Sequence, residues 1–324
     1  MSRESQSELF DAGPASPVDL APEAAGHQAL AERISPRIRL GTSSWSFPGW
    51  EGIVYDRPVP GTTLAHHGLR AYSRHPLLRC VGVDRGYYAP LSRGVLERMR
   101  NQTPPSFRFV LKADRRLVFP GGPGSDPELF LNPSWGEAEI VAPAAEILGE
   151  RLGTILFQFP PIRPEVLGGP RRFAERLYHF LQALPPSPPC TVEIRTPELL
   201  TADYASALAH AGAHHGFVIH PEMSDLDTQR AVVGLSGSPS APTLIRWMLK
   251  PGYSYERARN AWTPFRRLAS PDPDRRGQVV RIAIEVAAQG GEVMVVVNNK
   301  AEGSSPLSVV ELARALTNSD RATF

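Results

Sequence analysis

Lysine is nearly missing from this chain: of 35 basic residues only Lys112, Lys250 and Lys300 are lysines, and arginine supplies the rest. Cysteine is scarcer still, with Cys80 and Cys190 alone. Both fall at the starts of predicted strands, where a small buried thiol is ordinary and a disulfide between distant strands is not, so a reducing cytoplasmic setting is expected. No apolar run approaches the length of a membrane-spanning helix, and Met1 to Leu9 carries charge without the apolar core of a signal peptide, which argues against a membrane partner and against export. A formal net charge of +2 is too small to imply a nucleic-acid or membrane partner by itself. There is no G-x-S-x-G elbow, and the cysteines sit at the wrong ends of their strands for an active face, which disfavours acyl-enzyme chemistry. The glycines at Gly121-Gly122-Pro123-Gly124 open no helix, so no nucleotide cofactor is indicated. Asp84, Glu193, His220 and Glu222 lack closely spaced ligand geometry, and the pairs His66-His67 and His214-His215 read as surface or capping residues; no metal ligand is assigned and the cofactor is left unknown.

What the chain does have is alternation. Short apolar runs ending in polar residues recur at 37–42, 79–84, 107–112, 154–159, 190–195, 216–220, 243–248 and 292–298. Several are apolar on both faces, as strands covered on both sides must be. Helix-like segments separate them: 64–74, 92–100 with Ser92 as N-cap, 138–152, 172–184, 197–211, 255–268, 278–288 and 307–316, with the sixth unit (221–242) the least helical. The pattern predicts a single α/β domain, a (β/α)8 TIM-like barrel of parallel strands over 36–324. The first 35 residues, rich in Ala, Pro, Ser and Glu with little apolar period, are expected to be a disordered leader. The long connection after Lys112 through Arg115, Arg116, Phe119 and Trp135 is expected to act as a lid on the C-terminal face.

Each lysine lies at or just past the C-terminal end of a predicted strand, the face on which barrel enzymes place their chemistry. Lys112 stands out because it closes the run Phe107-Arg108-Phe109-Val110-Leu111 rather than lying in a loop. In Thr191-Val192-Glu193-Ile194-Arg195, alternation puts Glu193 and Arg195 on one face, and that face should point into the barrel. A buried Glu193 must then find a cation, with Arg195, Lys112 and Arg246 as the candidates. Gln158, an amide in an apolar strand, wants a buried partner or a ligand. Arg246, Asn298, Asn299 and Lys300 follow strands seven and eight, where many barrels bind anions, and Gly303-Ser304-Ser305-Pro306 opens a helix whose amides could add donors. Trp45 and Trp50, on the loop after the first strand, suggest a pocket wall.

Three of these segments resemble the YecE-like family, domain of unknown function 72: Gly41-Thr42-Ser43-Ser44-Trp45-Ser46-Phe47 with Trp50, Gly52 and Tyr55; Phe107 through Ala113; and Leu152 through Pro161. Val192-Glu193-Ile194-Arg195, Arg246 and Val296-Val297-Asn298-Asn299 follow in the family's order. The resemblance spans about residue 37 to the end and implies a TIM barrel without an established activity. It also exposes departures. Gly82 and Asp84 stand where the family usually places Glu and then Asn before an aromatic pair, here Tyr87-Tyr88; Met248 stands in place of a histidine, and Lys300 in place of an acid or histidine.

Together these readings nominate Lys112 and Glu193 as catalytic residues, with Glu193 as acid or base. Trp45, Asp84, Tyr88, Gln158, Arg195, Arg246, Asn298 and Asn299 are nominated to bind substrate. The expected function is an enzyme acting on a small anionic or phosphorylated ligand. Two alternatives stay open: a nucleic-acid-binding or nuclease-like barrel using Arg115-Arg116, and an inactive ligand-binding module, suggested by Gly82 and Met248.

Overall fold

A computed structural model describes residues 18–121, 125–235 and 241–319. All strands are parallel and form one sheet: β1 (Ile38–Thr42), β2 (Leu78–Val83), β3 (Arg108–Lys112), β4 (Leu152–Gln158), β5 (Cys190–Glu193), β6 (His214–His215), β7 (Phe217–Ile219), β8 (Thr243–Trp247) and β9 (Val293–Val297). The order is β6-β5-β4-β3-β2-β1-β9-β8-β7, so β1 pairs with β9 and the free ends are β6 and β7. Those two are consecutive in the chain. β6 pairs with β5, β7 pairs with β8, and Gly216 joins them, so the ring is one eight-membered barrel whose sixth stave changes partner midway. A Cβ at Gly216 would lie 3.0 Å from the Thr191 methyl, a tight contact that the glycine relieves. The expected strand at 216–220 is corrected only in being split, with its first half starting at His214.

Strands are held by what covers them. On the outside, helices such as Arg93–Asn101, Pro170–Gln182, Ala202–Ala211, Pro273–Ala288 and Ser305–Ser319 bury their apolar stripes against the sheet. Several differ from expectation at their ends for local reasons. The helix beginning at Tyr255 stops at Trp262, because the residue before Pro264 is pushed out of the helical region. The next helix starts at Pro273, opened by that proline and by Asp272, whose carboxylate accepts from the Arg275 amide. The sixth unit does contain a helix, Leu226–Val233, capped by Asp225.

Inside, Cys80, Val110, Leu156, Leu244, Met294 and Val296 form a small apolar cluster of their own, separate from the outer core. It plugs the barrel. Both cysteines are buried free thiols, and burial pushes each up to about 12. Gly41 is required beside this plug, since a Cβ there would lie 1.9 Å from the Cys80 carbonyl oxygen.

The expectation of a disordered leader through residue 35 is corrected for residues 18–35; residues 1–17 lie outside the described residues. Pro22–Ala25 and Gln28–Glu32 are helical, and Val18, Ala21, Ala24 and Ala31 are buried. The Ala21 amide donates to the Val54 carbonyl, and Arg79 donates to the Ala31 carbonyl. Alanines lying flush against the barrel carry little hydrophobic signal in sequence, which hid this contact. Part of the expected lid is also packed: Arg115–Val118 is a helical turn with Leu117 and Val118 buried, and the Leu131 amide donates to the Leu117 carbonyl. The Gly122-Pro123-Gly124 tip lies outside the described residues. Among the described residues no helix is long and apolar enough to cross a membrane.

Candidate functional site

Two residues beyond the apolar plug, the same inward face of the strands becomes polar. Val110 is followed by Lys112, Leu156 by Gln158, Leu244 by Arg246 and Val296 by Asn298, because side chains alternate along a strand. Glu193 and Arg195 continue the inward face of β5 and Asp84 that of β2. The sequence-derived residues therefore meet at the C-terminal mouth of the barrel.

At its centre Glu193 is fully buried and accepts from two guanidinium groups: Arg246 Nη1 at 2.6 Å on one oxygen and Arg195 Nε at 2.9 Å on the other. Arg246, itself 1% exposed, also donates through Nη2 to Asp84 at 3.2 Å. Arg195 Nη1 lies 3.4 Å from His220 Nε2. Burial opposes ionisation of Glu193, but Arg246 and Arg195 outweigh it and hold its pKa down at about 2. His220 is pushed down to about 4 by burial and by Arg195.

This bears on the role expected of Glu193. A carboxylate that stays ionised at neutral pH and has both oxygens occupied is poorly suited to be an acid or base. Glu193 is instead the anchor that orients Arg246 and Arg195.

Lys112 behaves differently. Its Nζ rests 3.7 Å from the centre of the Tyr87 ring, and among the described residues it makes neither an ion pair nor a hydrogen bond. Burial lowers its pKa to about 8, with Arg246 and Arg195 adding to the effect and Asp84 and Glu193 opposing it. Lys250 Nζ donates to Ser270 Oγ at 2.7 Å, and Lys300 Nζ, like that of Lys112, lies over a tyrosine, 3.9 Å from the centre of the Tyr255 ring and 5.5 Å from that of Phe265. Gln158 is 3% exposed and, among the described residues, its carboxamide has no hydrogen-bond partner. Its carboxamide is not sealed from solvent, so it can meet a ligand or water at the mouth.

Beside Asp84 the mouth opens into a cavity of about 190 Å3 lined by Ser43, Trp45, Gly82, Asp84, Tyr255 and Asn298; Lys112, Gln158, Arg195 and Arg246 lie outside its lining. Trp45 forms its wall as expected, with its indole N–H donated to the Leu64 carbonyl at 3.0 Å. A larger groove of about 900 Å3 runs outside the barrel past Pro58, Thr62, His67 and Arg70, but it contains none of the strand-end polar residues. We therefore place the candidate site at the mouth.

Three further expectations are corrected. Tyr88 is 77% exposed, and its neighbour Tyr87 is the tyrosine that faces Lys112. Asn299 gives its Oδ1 to the scaffold, accepting from Trp50 Nε1 at 3.2 Å and from both the amide and hydroxyl of Ser305 at 2.8 Å, while its buried Nδ2 has no hydrogen-bond partner among the described residues. That leaves no open Ser305 amide at the start of the last helix for an anion. Asn298 does reach the cavity, but its Nδ2 donates to Ser43 Oγ and its Oδ1 caps the Lys300 amide. Sequence reasoning missed Tyr87 and His220 as site members; the adjacent tyrosines were the only signal for the first, and His220 had been weighed only as a metal ligand. Among the described residues no group of three or more His, Cys, Asp or Glu side chains is placed to hold a metal ion.

The comparisons with known proteins agree with this architecture. Two crystal structures of a DUF72 family protein from Enterococcus faecalis V583 align with TM-scores of 0.56 and 0.53 at 16% and 18% identity, each covering 86% of this chain and 95% and 97% of theirs. A DUF72 family protein from Thermotoga maritima MSB8 aligns with a TM-score of 0.56 at 19% identity, over 86% of this chain and 98% of its own. At such identities the likeness speaks to the fold alone. No curated protein matches the sequence. The model of the family described as "Protein of unknown function DUF72" matches residues 39–323, and the chain belongs to that family.

Proposed function

We propose that this barrel is an enzyme that binds a small anionic or phosphorylated substrate at its C-terminal mouth. The observation that carries the reading is the pair Lys112 and Gln158 on adjacent inward strand ends, neither side chain making an ion pair or hydrogen bond among the described residues, beside a buried Glu193 already matched by two arginines. Three cations, Lys112, Arg195 and Arg246, face two carboxylates, Glu193 and Asp84, so one positive charge is unbalanced when Lys112 is protonated. An anion in that space supplies the missing charge and accepts from the Gln158 amide. Lys112 and Arg195 hold the anion, Gln158 orients it, Glu193 and Asp84 fix the arginines, and Trp45 walls the cavity. Arg115 and Arg116, the residues a nucleic-acid reading depends on, lie over Phe119 and Trp135, and Arg116 is also paired with Asp114 at 2.9 Å, which leaves them less free to meet phosphates.

Thermal-shift screening of wild type and Lys112→Met against phosphosugars, inorganic phosphate, nucleotides, metals and short oligonucleotides tests the reading, because a ligand of the native state stabilises by mass action. A shift from small anions in wild type alone supports it. A shift from oligonucleotides that collapses with added salt points instead to nucleic acid. No shift from any anion contradicts it.

A further inference from the structure

Resting on that reading of the mouth, we propose that Lys112 is a nucleophilic amine that forms an imine with the carbonyl of a small oxo acid whose carboxylate is held by Arg195. Three independent features lead there. The Lys112 nitrogen has neither an ion pair nor a hydrogen bond among the described residues, whereas Lys250 is bonded to Ser270 and Lys300 is 5% exposed beneath Tyr255 and Phe265. Burial, with Arg246 and Arg195 beside it, favours the neutral amine that such chemistry needs, against the opposing charges of Asp84 and Glu193. Arg195 spends Nε on Glu193 and Nη1 on His220, leaving Nη2 without a partner among the described residues and able to take an oxygen of a carboxylate.

The groups facing Lys112 are Tyr87 and Asp84 after β2, Glu193 and Arg195 from β5, and Arg246 from β8. Their combined effect with burial brings the amine to about 8. At pH 7 the neutral amine is then about 300-fold more abundant than for an ordinary lysine at 10.5. The step balances without a further reagent. The nitrogen lone pair attacks the carbonyl carbon, and the proton lost by nitrogen passes to the oxygen to give a carbinolamine. Expulsion of that hydroxyl as water, with a second proton delivered to it, leaves the C=N bond. Solvent at the barrel mouth exchanges those protons.

Glyoxylate with cyanoborohydride reports the imine directly, since reduction fixes it as a stable N-carboxymethyl group and the chain has only three lysines to compare. Peptide mapping by mass spectrometry is expected to find Lys112 modified at least tenfold faster than Lys250 or Lys300. The rate should rise with pH to a plateau above about 8, and excess glycolate, which has the carboxylate but no carbonyl, should suppress it. Modification shared equally by the three lysines overturns the proposal, and so does selective modification that glycolate fails to suppress. Glycolate binding, read separately as thermal stabilisation of wild type, keeps the two ideas apart. Stabilisation without an adduct leaves the anion site standing and removes the imine; no stabilisation and no adduct removes both. Lys112→Arg, which keeps the charge, is expected to retain the response to glycolate and lose the adduct.

Discussion

Replacing Lys112 by methionine is expected to make the protein more stable while removing its response to anions. The physical reason lies in the position of the ammonium. Burial beside Arg246 and Arg195 lowers its pKa from 10.5 to about 8, so the charged form costs on the order of 3 kcal/mol in the folded state at neutral pH. The folded value lies below the unfolded one, so the cost is fully present below about pH 8 and fades as the pH rises from 8 towards 10.5. The side chain keeps some contact with water at the barrel mouth, and screening there reduces the expected gain to roughly 1–3 kcal/mol. Methionine has a similar length and no charge to desolvate. For a domain of this size that gain raises the melting temperature by roughly 2–6 °C. The assay is a thermal melt of both proteins at pH 7 and again at pH 10.5, with the advantage of the variant shrinking at the higher pH. An equal or lower melting temperature for the variant at pH 7 refutes the reasoning, and a gain of the same size at both pH values shows that packing rather than charge is responsible. A residue kept at a cost to stability on the inward face of a strand end is the signature expected of a working group.

Other consequences follow from the same network. Arg246→Met leaves Glu193 buried with one guanidinium fewer and is expected to destabilise by roughly 3–5 kcal/mol, whereas adding Glu193→Leu should cost much less than the sum of the two single changes in a denaturant titration; additive losses would show that the two residues are not coupled. His75 and His215 are buried with pKa values lowered to about 3 and about 4, so the stability they confer is complete above about pH 6.5 and is lost as the pH falls from there towards 4, with Glu193 extending the loss from about 4.5 towards 2. A melting temperature that stays flat from pH 6.5 to 4 contradicts that account. Tyr87→Ala should weaken the response to small anions by removing the ring under Lys112, while Tyr88→Ala, at an exposed position, should change stability by less than ~0.5 kcal/mol and leave binding intact; the reverse pattern in a binding titration would mean that the wrong tyrosine has been assigned.

How far the sequence carried the structure can be judged from particular residues. The barrel was legible because each run of apolar residues stops at a polar one, and two-residue alternation then placed Glu193 and Arg195 on the inward face. The desolvation cost of a buried carboxylate named Arg195, Lys112 and Arg246 as candidate partners of Glu193, and the two arginines are the ones that pair with it. It did not give Glu193 its role, because whether a buried carboxylate moves a proton depends on how many cations converge on it, and Arg246 comes from a strand more than fifty residues away. Asn299 looked like Asn298 in sequence; the helical turn that starts after Asn298 carries Asn299 round to Trp50 and Ser305. Tyr87 and Tyr88 are separated only by the tight turn Asp84–Tyr87, which presents one ring to Lys112 and the other to solvent. Residues 18–35 escaped notice because alanine at helical spacing looks the same whether it packs or not.

The central claim is that the barrel mouth holds one lysine with a lowered pKa and, among the described residues, no ion pair or hydrogen bond, and the scarcity of lysine makes it directly measurable. Labelling the chain with lysine carrying 13C at Cε yields three signals to follow through a pH titration by NMR, and the one that disappears in Lys112→Met is identified without further assignment. The account predicts that this signal titrates near pH 8 and moves to a higher midpoint when a small anion is bound. A midpoint at the ordinary value near 10.5, unchanged by anions, would contradict it.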